Sequence, residues 1–428
     1  MKRNTFNASA LLLAAATALL LQACLKDTGS QQYKIYTPVY KASSLVRTDI
    51  VKNTVSQPII NPGKIYVIGN NIFLVEKEKG IHIIDNTNPS SPVNKAFISI
   101  PGNEDIAVKG NILFADCFAD LFALDISDPS SVKLKNYITN LFPDRRYING
   151  QYIDSGNVIV DWKVKDTIAR IEIQQGRGIW TNGSYMTTTT YNQGGIFSST
   201  LASQSSSAAA GVAGSLSRIA IVNARLYAVS SDLLSTVNIT DPSTPALLTN
   251  NNTHMGIGAA ETIYPFQDKL FIGSMSGMYI FSITNPDNPA LLSTFTHAKV
   301  CDPVITDGTN AYITLHTGTS CNGVENELDV VNVQDPTNPV LLKKYNLVHP
   351  FGLSKDGNTL FVCDDALKVY DATDPHNLQL KQTITVSQPY DIICLNRIAI
   401  VSAKDGLYQF DYSNPFNLKQ ISKLSLNY

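Results

Sequence analysis

Downstream of residue 60 the chain alternates short apolar segments with polar corners, and one pattern recurs. An apolar, alternating run ends in Asp or a near equivalent, followed by a few polar residues around a central Asp-Pro or Asn-Pro. The copies are GIHIIDNTNPSSP (80–92), DLFALDISDPSS (120–131), LSTVNITDPSTP (234–245), GMYIFSITNPDNP (277–289), ELDVVNVQDPTNP (327–339), ALKVYDATDPHNL (366–378) and GLYQFDYSNPFNL (406–418). Their prolines, Pro89, Pro129, Pro242, Pro286, Pro336, Pro375 and Pro415, are spaced by 40, 113, 44, 50, 39 and 40 residues. Period-two alternation predicts a strand with one buried face. Proline pre-sets φ for the second position of a type I turn, and the acid or amide before it can accept hydrogen bonds from the turn's own amides. Upstream of each such strand lies a hairpin, as in EDIAVKGNILFAD (104–116), and downstream a fourth apolar segment such as residues 132–138.

Four strands per unit of about 40 residues predict a propeller blade, too small to be stable alone and completed by its neighbours. The gap of 113 residues holds a degenerate unit, residues 152–173, without the Asp-Pro corner. It also holds a stretch rich in Ser, Thr, Gly and Ala. The expectation is an all-β fold: a single propeller of about eight blades over residues 61–428, or seven if the degenerate unit is not a full blade. Residues 175–217 would form a low-complexity loop insertion.

The N-terminus has a different pattern. Lys2 and Arg3 precede an uncharged, almost wholly apolar run, residues 8–21, which is shorter than the roughly 20 residues a membrane-spanning helix needs. This is the layout of a secretory signal, residues 1–23. It ends in Leu21-Gln22-Ala23-Cys24, which resembles the lipobox of bacterial lipoproteins. That resemblance implies cleavage before Cys24 and acylation of its thiol, enough for stable membrane attachment. Lys26-Asp27 resembles the surface-export signal of Bacteroidetes lipoproteins, with a periplasm-facing anchor as the alternative. Residues 24–60 would then be the lipidated cysteine, a tether and a lead-in.

Charge narrows the function classes. The chain has 33 basic and 35 acidic residues, and removing Lys2 and Arg3 leaves 31 against 35. This balance does not suit a nucleic-acid binder, which needs a basic surface. Five cysteines follow Cys24. Cys301 and Cys321 bracket a predicted hairpin and form the best candidate disulfide, with two buried thiols as the alternative. Cys117, Cys363 and Cys394 lie in apolar strand patterns and read as core.

GIHIIDNTNPSSP and its copies resemble the LVIVD repeat family of envelope proteins. GKIYVIGNNIFL (63–74) and VCDPVITDG (300–308) are similar to its Bacteroidetes lipoprotein members. The resemblance runs from about Gly63 to the C-terminus. It implies a β-propeller at the cell envelope and carries no catalytic motif.

Candidate chemistry is sparse. Aligning the repeats on their first hairpin places Asp105, Glu261, Asp302 and Asp391 near one position, with His349 in the equivalent region of another unit. In a closed propeller they would ring the channel mouth. Such a ring could take an oxygen-seeking cation such as Ca²⁺, though no cofactor is otherwise predicted. The alternative is that each acid caps backbone amides at a strand start. No histidine pair has zinc-site spacing, GSMSG (273–277) lacks a nucleophile, and GIGAAE (256–261) precedes a strand rather than a helix. The leading expectation is therefore a non-catalytic binding or scaffold propeller on an outer-membrane lipoprotein, held to the membrane by lipid and presenting loops to a protein or glycan. A hydrolase or lyase acting through the channel-mouth residues and a periplasmic assembly factor are the alternatives.

Overall fold

The structure is a computed structural model that describes residues 28–49, 55–148, 151–152, 156–172, 211–248, 253–255, 260–296, 303–317 and 325–426. The chain divides into two units. The larger, residues 40–160 and 189–428, is a β-propeller. Among the described residues it has seven blades, spanning residues 62–99, 106–138, 219–247, 260–296, 304–346, 353–384 and 389–425. Each is an antiparallel meander whose four strands pair in chain order. Two blades carry an extra short strand: Val212–Ala213 on the first and Thr253–His254 on the third. The ring closes by blade 7 packing on blade 1, where Ser402 donates to the carbonyl of Gly63 and the side-chain amides of Asn86 and Gln409 bond each other both ways.

Stacking explains where the core sits. The third strand of blade 1, Gly80–Asp85, is buried at every position but its last, and Ile112–Cys117 of blade 2 is buried throughout. These strands are covered on both faces by neighbouring blades, so the single buried face expected from alternation is too modest. Alternation survives in the outermost strands, such as Lys133–Ile138, where every second residue faces solvent. Six of the seven blades share a register shift between their third and fourth strands, for example between Ile83 and Ile84. A bulge there adds local twist to the rim of the blade.

The Asp-Pro corners take the predicted geometry. In all seven, the residue before proline accepts a hydrogen bond at its carbonyl from the amide three positions on, as Asn88 does from Ser91 and Asp335 from Asn338. Its side chain also accepts from the amide two positions on, as Asp128 does from Ser130. A second, similar clasp ends each third strand, where Asp85 accepts from both the amide and the hydroxyl of Thr87. These hydroxyls first, then the amides, hold Asp85 and Asp371 below the ordinary carboxylate range and take Asp125 to about 2.

Three expectations change. The blade count is seven rather than eight, because the degenerate unit is not a blade: its centre is one unbroken strand, Asn157–Glu172, paired with Thr28–Ala42 in a two-stranded ribbon. No corner interrupts those 16 residues, so they cannot fold back into a meander. The lead-in is accordingly not a bare tether, since Thr28–Ala42 is a strand and a short helix, Ser43–Asp49, follows it. Finally, residues 211–217, the end of the expected loop insertion, are built into the propeller centre. Cys24, Cys301, Cys321 and Asp302 lie outside the described residues. Cys117 and Cys363 are buried free thiols, and burial pushes both well above the usual thiol range.

Candidate binding face at the channel mouth

In each blade the first strand runs from a mouth face towards the face that carries the Asp-Pro corners. The residue just before its first fully paired core position lines the mouth. By strand register this position holds Lys64, Asp105, Arg218, Thr262, Pro303, Gly352 and Asp391. Only Asp105 and Asp391 of the expected acids belong to it. Glu261 and Asp302 are one residue earlier and His349 three earlier. A one-residue slip turns a strand side chain to the opposite face. The mouth is thus a mixed ring of two carboxylates and two cations rather than an acidic ring.

Its charges are already engaged. Buried Lys64 lies 3.1 Å from the Asp105 carboxylate. Desolvation, only partly offset by Asp105, lowers the Lys64 ammonium to about 8. Asp105 also accepts from the amides of Ile106 (2.8 Å) and Arg218 (2.5 Å) and from the Ser217 hydroxyl (3.2 Å). Asp391 is fully buried and accepts from the amides of Ile65 (3.1 Å) and Ile392 (2.9 Å). Burial raises it to about 7, against the pull of those amides.

Residues 211–217 explain this engagement. They climb the channel from the corner face to the mouth. The Gly211 amide bonds to the Val108 carbonyl, Val212 and Ala213 pair with Val67 and Tyr66, and the Gly214 amide reaches the Ile65 carbonyl. The Ser215 hydroxyl accepts from the Leu353 amide at 2.6 Å, and the Ser217 carbonyl accepts from the Ile263 amide at 2.7 Å. The segment therefore bonds inner strands of blades 1, 2, 4 and 6 before entering blade 3. Small residues are required: a Cβ on Gly214 would collide with the Asp391 carboxylate.

Around the mouth, carboxylates at the ends of second strands clasp the incoming loops. Glu76 accepts from the amides of Ile60 and Asn61, Asp116 from Glu104 and Asp105, and Asp364 from Val348 and His349. Each has a basic partner: His82, Arg145 and Lys368 respectively. Arg145 also meets Glu104 at 3.2 Å and the Gly102 carbonyl at 2.7 Å. Sequence alignment missed this set, although all three acids lie at or next to the end of an apolar second strand.

Beside the clasps an aromatic strip crosses the mouth face. His316 and His349 pack on Phe351 with ring centres 5.0 and 4.8 Å away, and Phe351 lies 5.6 Å from Tyr390. The Lys77 ammonium sits 3.6 Å above Tyr390. His349, expected in a ligand ring, is instead the exposed end of this strip. Glu261 is half-buried at a bulge between Ala260 and Thr262. Among the described residues, no three His, Cys, Asp or Glu side chains gather as a metal site.

The LVIVD repeat profile matches residues 62–97, 103–139 and 323–347, which fall in blades 1, 2 and 5. The chain carries LVIVD repeats. The other four blades share the topology of the LVIVD-matched ones without matching that profile. No curated protein matches the sequence. Solved structures of similar fold include the periplasmic gluconolactonase PpgL of Pseudomonas aeruginosa. It is 11% identical, with 85% of this chain and 97% of that one covered and a TM-score of 0.53. A protein from Lactobacillus plantarum is 11% identical over 85% of this chain and 96% of that one, with a TM-score of 0.52. At this identity the likeness extends to the fold and no further.

Proposed function

We propose that this LVIVD-repeat propeller is the binding or scaffold domain of an outer-membrane lipoprotein, anchored through Cys24 and engaging a protein or glycan with its mouth face. The observation that carries the binding reading over a hydrolytic one is the filled channel. Asp105 and Asp391 spend their oxygens on backbone amides and on Lys64, so neither is placed as a general acid or nucleophile with room for substrate. The mouth face offers exposed His349 and half-buried Phe351, backed by buried Tyr390 with the Lys77 cation over it. Aromatic groups with one polar edge are suited to such recognition.

The test has two arms. Fatty-acid labelling of cells should mark the wild-type protein and leave Cys24→Ala unmarked, and protease shaving of intact cells should digest a surface-exposed propeller. Cross-linked partners recovered with wild type should fall at least about tenfold for His349→Ala combined with Phe351→Ala, the scale expected when central aromatic contacts are removed. Equal labelling of Cys24→Ala would overturn the anchor. Undiminished recovery of the partner by the double variant would overturn the mouth face as its site.

A further inference from the structure

We propose that the ribbon formed by Thr28–Ala42 and Asn157–Glu172 lies on the lipid surface, with its aromatic face in the headgroup region. This rests on lipidation at Cys24 for its place in the cell, and on the ribbon's own surface for its chemistry. A two-stranded sheet is marginal in water, and among the described residues neither of its edges pairs with a further strand. This one exposes apolar side chains. Tyr36 is 53% exposed, Val164 51% and Ile168 70%. Trp162 packs edge-on against Tyr36 across the strands, with ring centres 6.5 Å apart. Alternation puts Trp162, Val164 and Ile168 on one side of their strand, so Tyr36 extends that same face. Exposed Asp166 lies on that face between Val164 and Ile168, while Asp161, Lys163 and Lys165 take the other side.

Two observations select a membrane as the occupant. The first is where the chain begins. Thr28 is four residues beyond Cys24, so the strand start can be at most about 14 Å from an acylated cysteine. The second is charge. Thr28–Ala42 contains Lys34 and Lys41 and no acid. On its partner strand Lys163 and Lys165 are exposed on the side away from Trp162, next to Asp161. Lys34, two residues from Tyr36 and on its side of the strand, suits an anionic lipid surface, where the rings sit at headgroup level and an ammonium group meets phosphates.

Trp162 supplies the probe, because the chain has two tryptophans and Trp180→Phe leaves only this one. The chain without its signal and Cys24, residues 25–428, carries no lipid and is mixed with phosphatidylethanolamine–phosphatidylglycerol vesicles. Trp162 emission should shift to the blue and resist iodide quenching, with weaker binding to pure phosphatidylcholine. Val164→Asp with Ile168→Asp should lower the vesicle-bound fraction by about tenfold or more, since two apolar side chains leave the lipid. The variant's unchanged thermal unfolding would show an intact propeller. Emission unmoved by vesicles would overturn the proposal, as would vesicle binding equal to wild type in the double variant. Burial of Trp162 by self-association without vesicles would also overturn it and identify a second copy as the occupant. Because no lipid is attached, failure of Cys24 labelling would leave this result standing. A labelled Cys24 with unmoved Trp162 would sink the ribbon alone.

Discussion

Asp391 shows how a residue can look like a functional site and serve the fold. Its carboxyl, ordinarily near 3.8, is raised to about 7 by burial, while amide donors keep it placed. The folded state therefore holds its proton between those two values. Its contribution to stability is full below about pH 4 and is lost as pH rises towards 7. Asp391→Asn removes that dependence. The difference in unfolding free energy between Asn variant and wild type should move in the variant's favour, by on the order of 2–4 kcal/mol, between pH 4 and 8. A constant offset is expected too, because the Asn amide is a worse partner for amide donors than a carboxylate. The corner acids Asp85, Asp125 and Asp371 titrate in the opposite sense, stabilising above the unfolded carboxylate range and failing below it. They are common to both proteins and cancel in the difference. Denaturant titrations of the pair across pH measure the quantity, and a flat difference would show that Asp391 is ionised throughout.

At the scale of elements, the repeated corners and the irregular clasps make different demands. Asp85 sits in an exposed turn whose other hydrogen bonds persist without it. Asp116 is buried, accepts from the amides of Glu104 and Asp105 and from Asn103, and faces the Arg145 guanidinium. Removing one partner of such a group leaves a buried cation and orphaned donors. Asp116→Ala should lower stability by about 3–5 kcal/mol, and Asp85→Ala by far less, as measured by chemical denaturation. The same contrast explains what could be read from the sequence. Each blade announces itself because its corner is local: Asn88, Pro89 and Ser91 make their turn from adjacent residues. The clasps join residues 11 to 16 apart across a loop and leave only an acid near the strand end as a trace. Aligning the repeats on their first hairpin put the acids only near one position, and Glu261 and Asp302 fall one residue before the one held by Asp105 and Asp391. That slip concealed Lys64 and Arg218 as its cationic members.

At the scale of the molecule, the propeller is closed by packing rather than strand exchange, and the segment 211–217 gives it a common axle. Nothing in GVAGSLS announces that role, because a channel lined by inner strands selects for smallness rather than pattern. Gly214 is the tightest point. Its φ is not in the left-handed region, so the first obstacle to an alanine there is the Asp391 carboxylate, which the amides of Ile65 and Ile392 hold from moving aside. Gly69 has φ +55° with nothing within 4 Å of a built Cβ. Gly69→Ala should thus lose only the conformational penalty, about 1 kcal/mol, and Gly214→Ala the overpacking term, about 1–3 kcal/mol. Magnitude separates them less well than reach. The axle bonds the amides of Leu353 in blade 6 and Ile263 in blade 4, with blade 5 between them. Hydrogen exchange should therefore quicken at both amides in Gly214→Ala and at neither in Gly69→Ala. Quickening confined to blades 1 and 7, where the collision occurs, would show that residues 211–217 only line one wall and that the blades hold their ring by mutual packing alone.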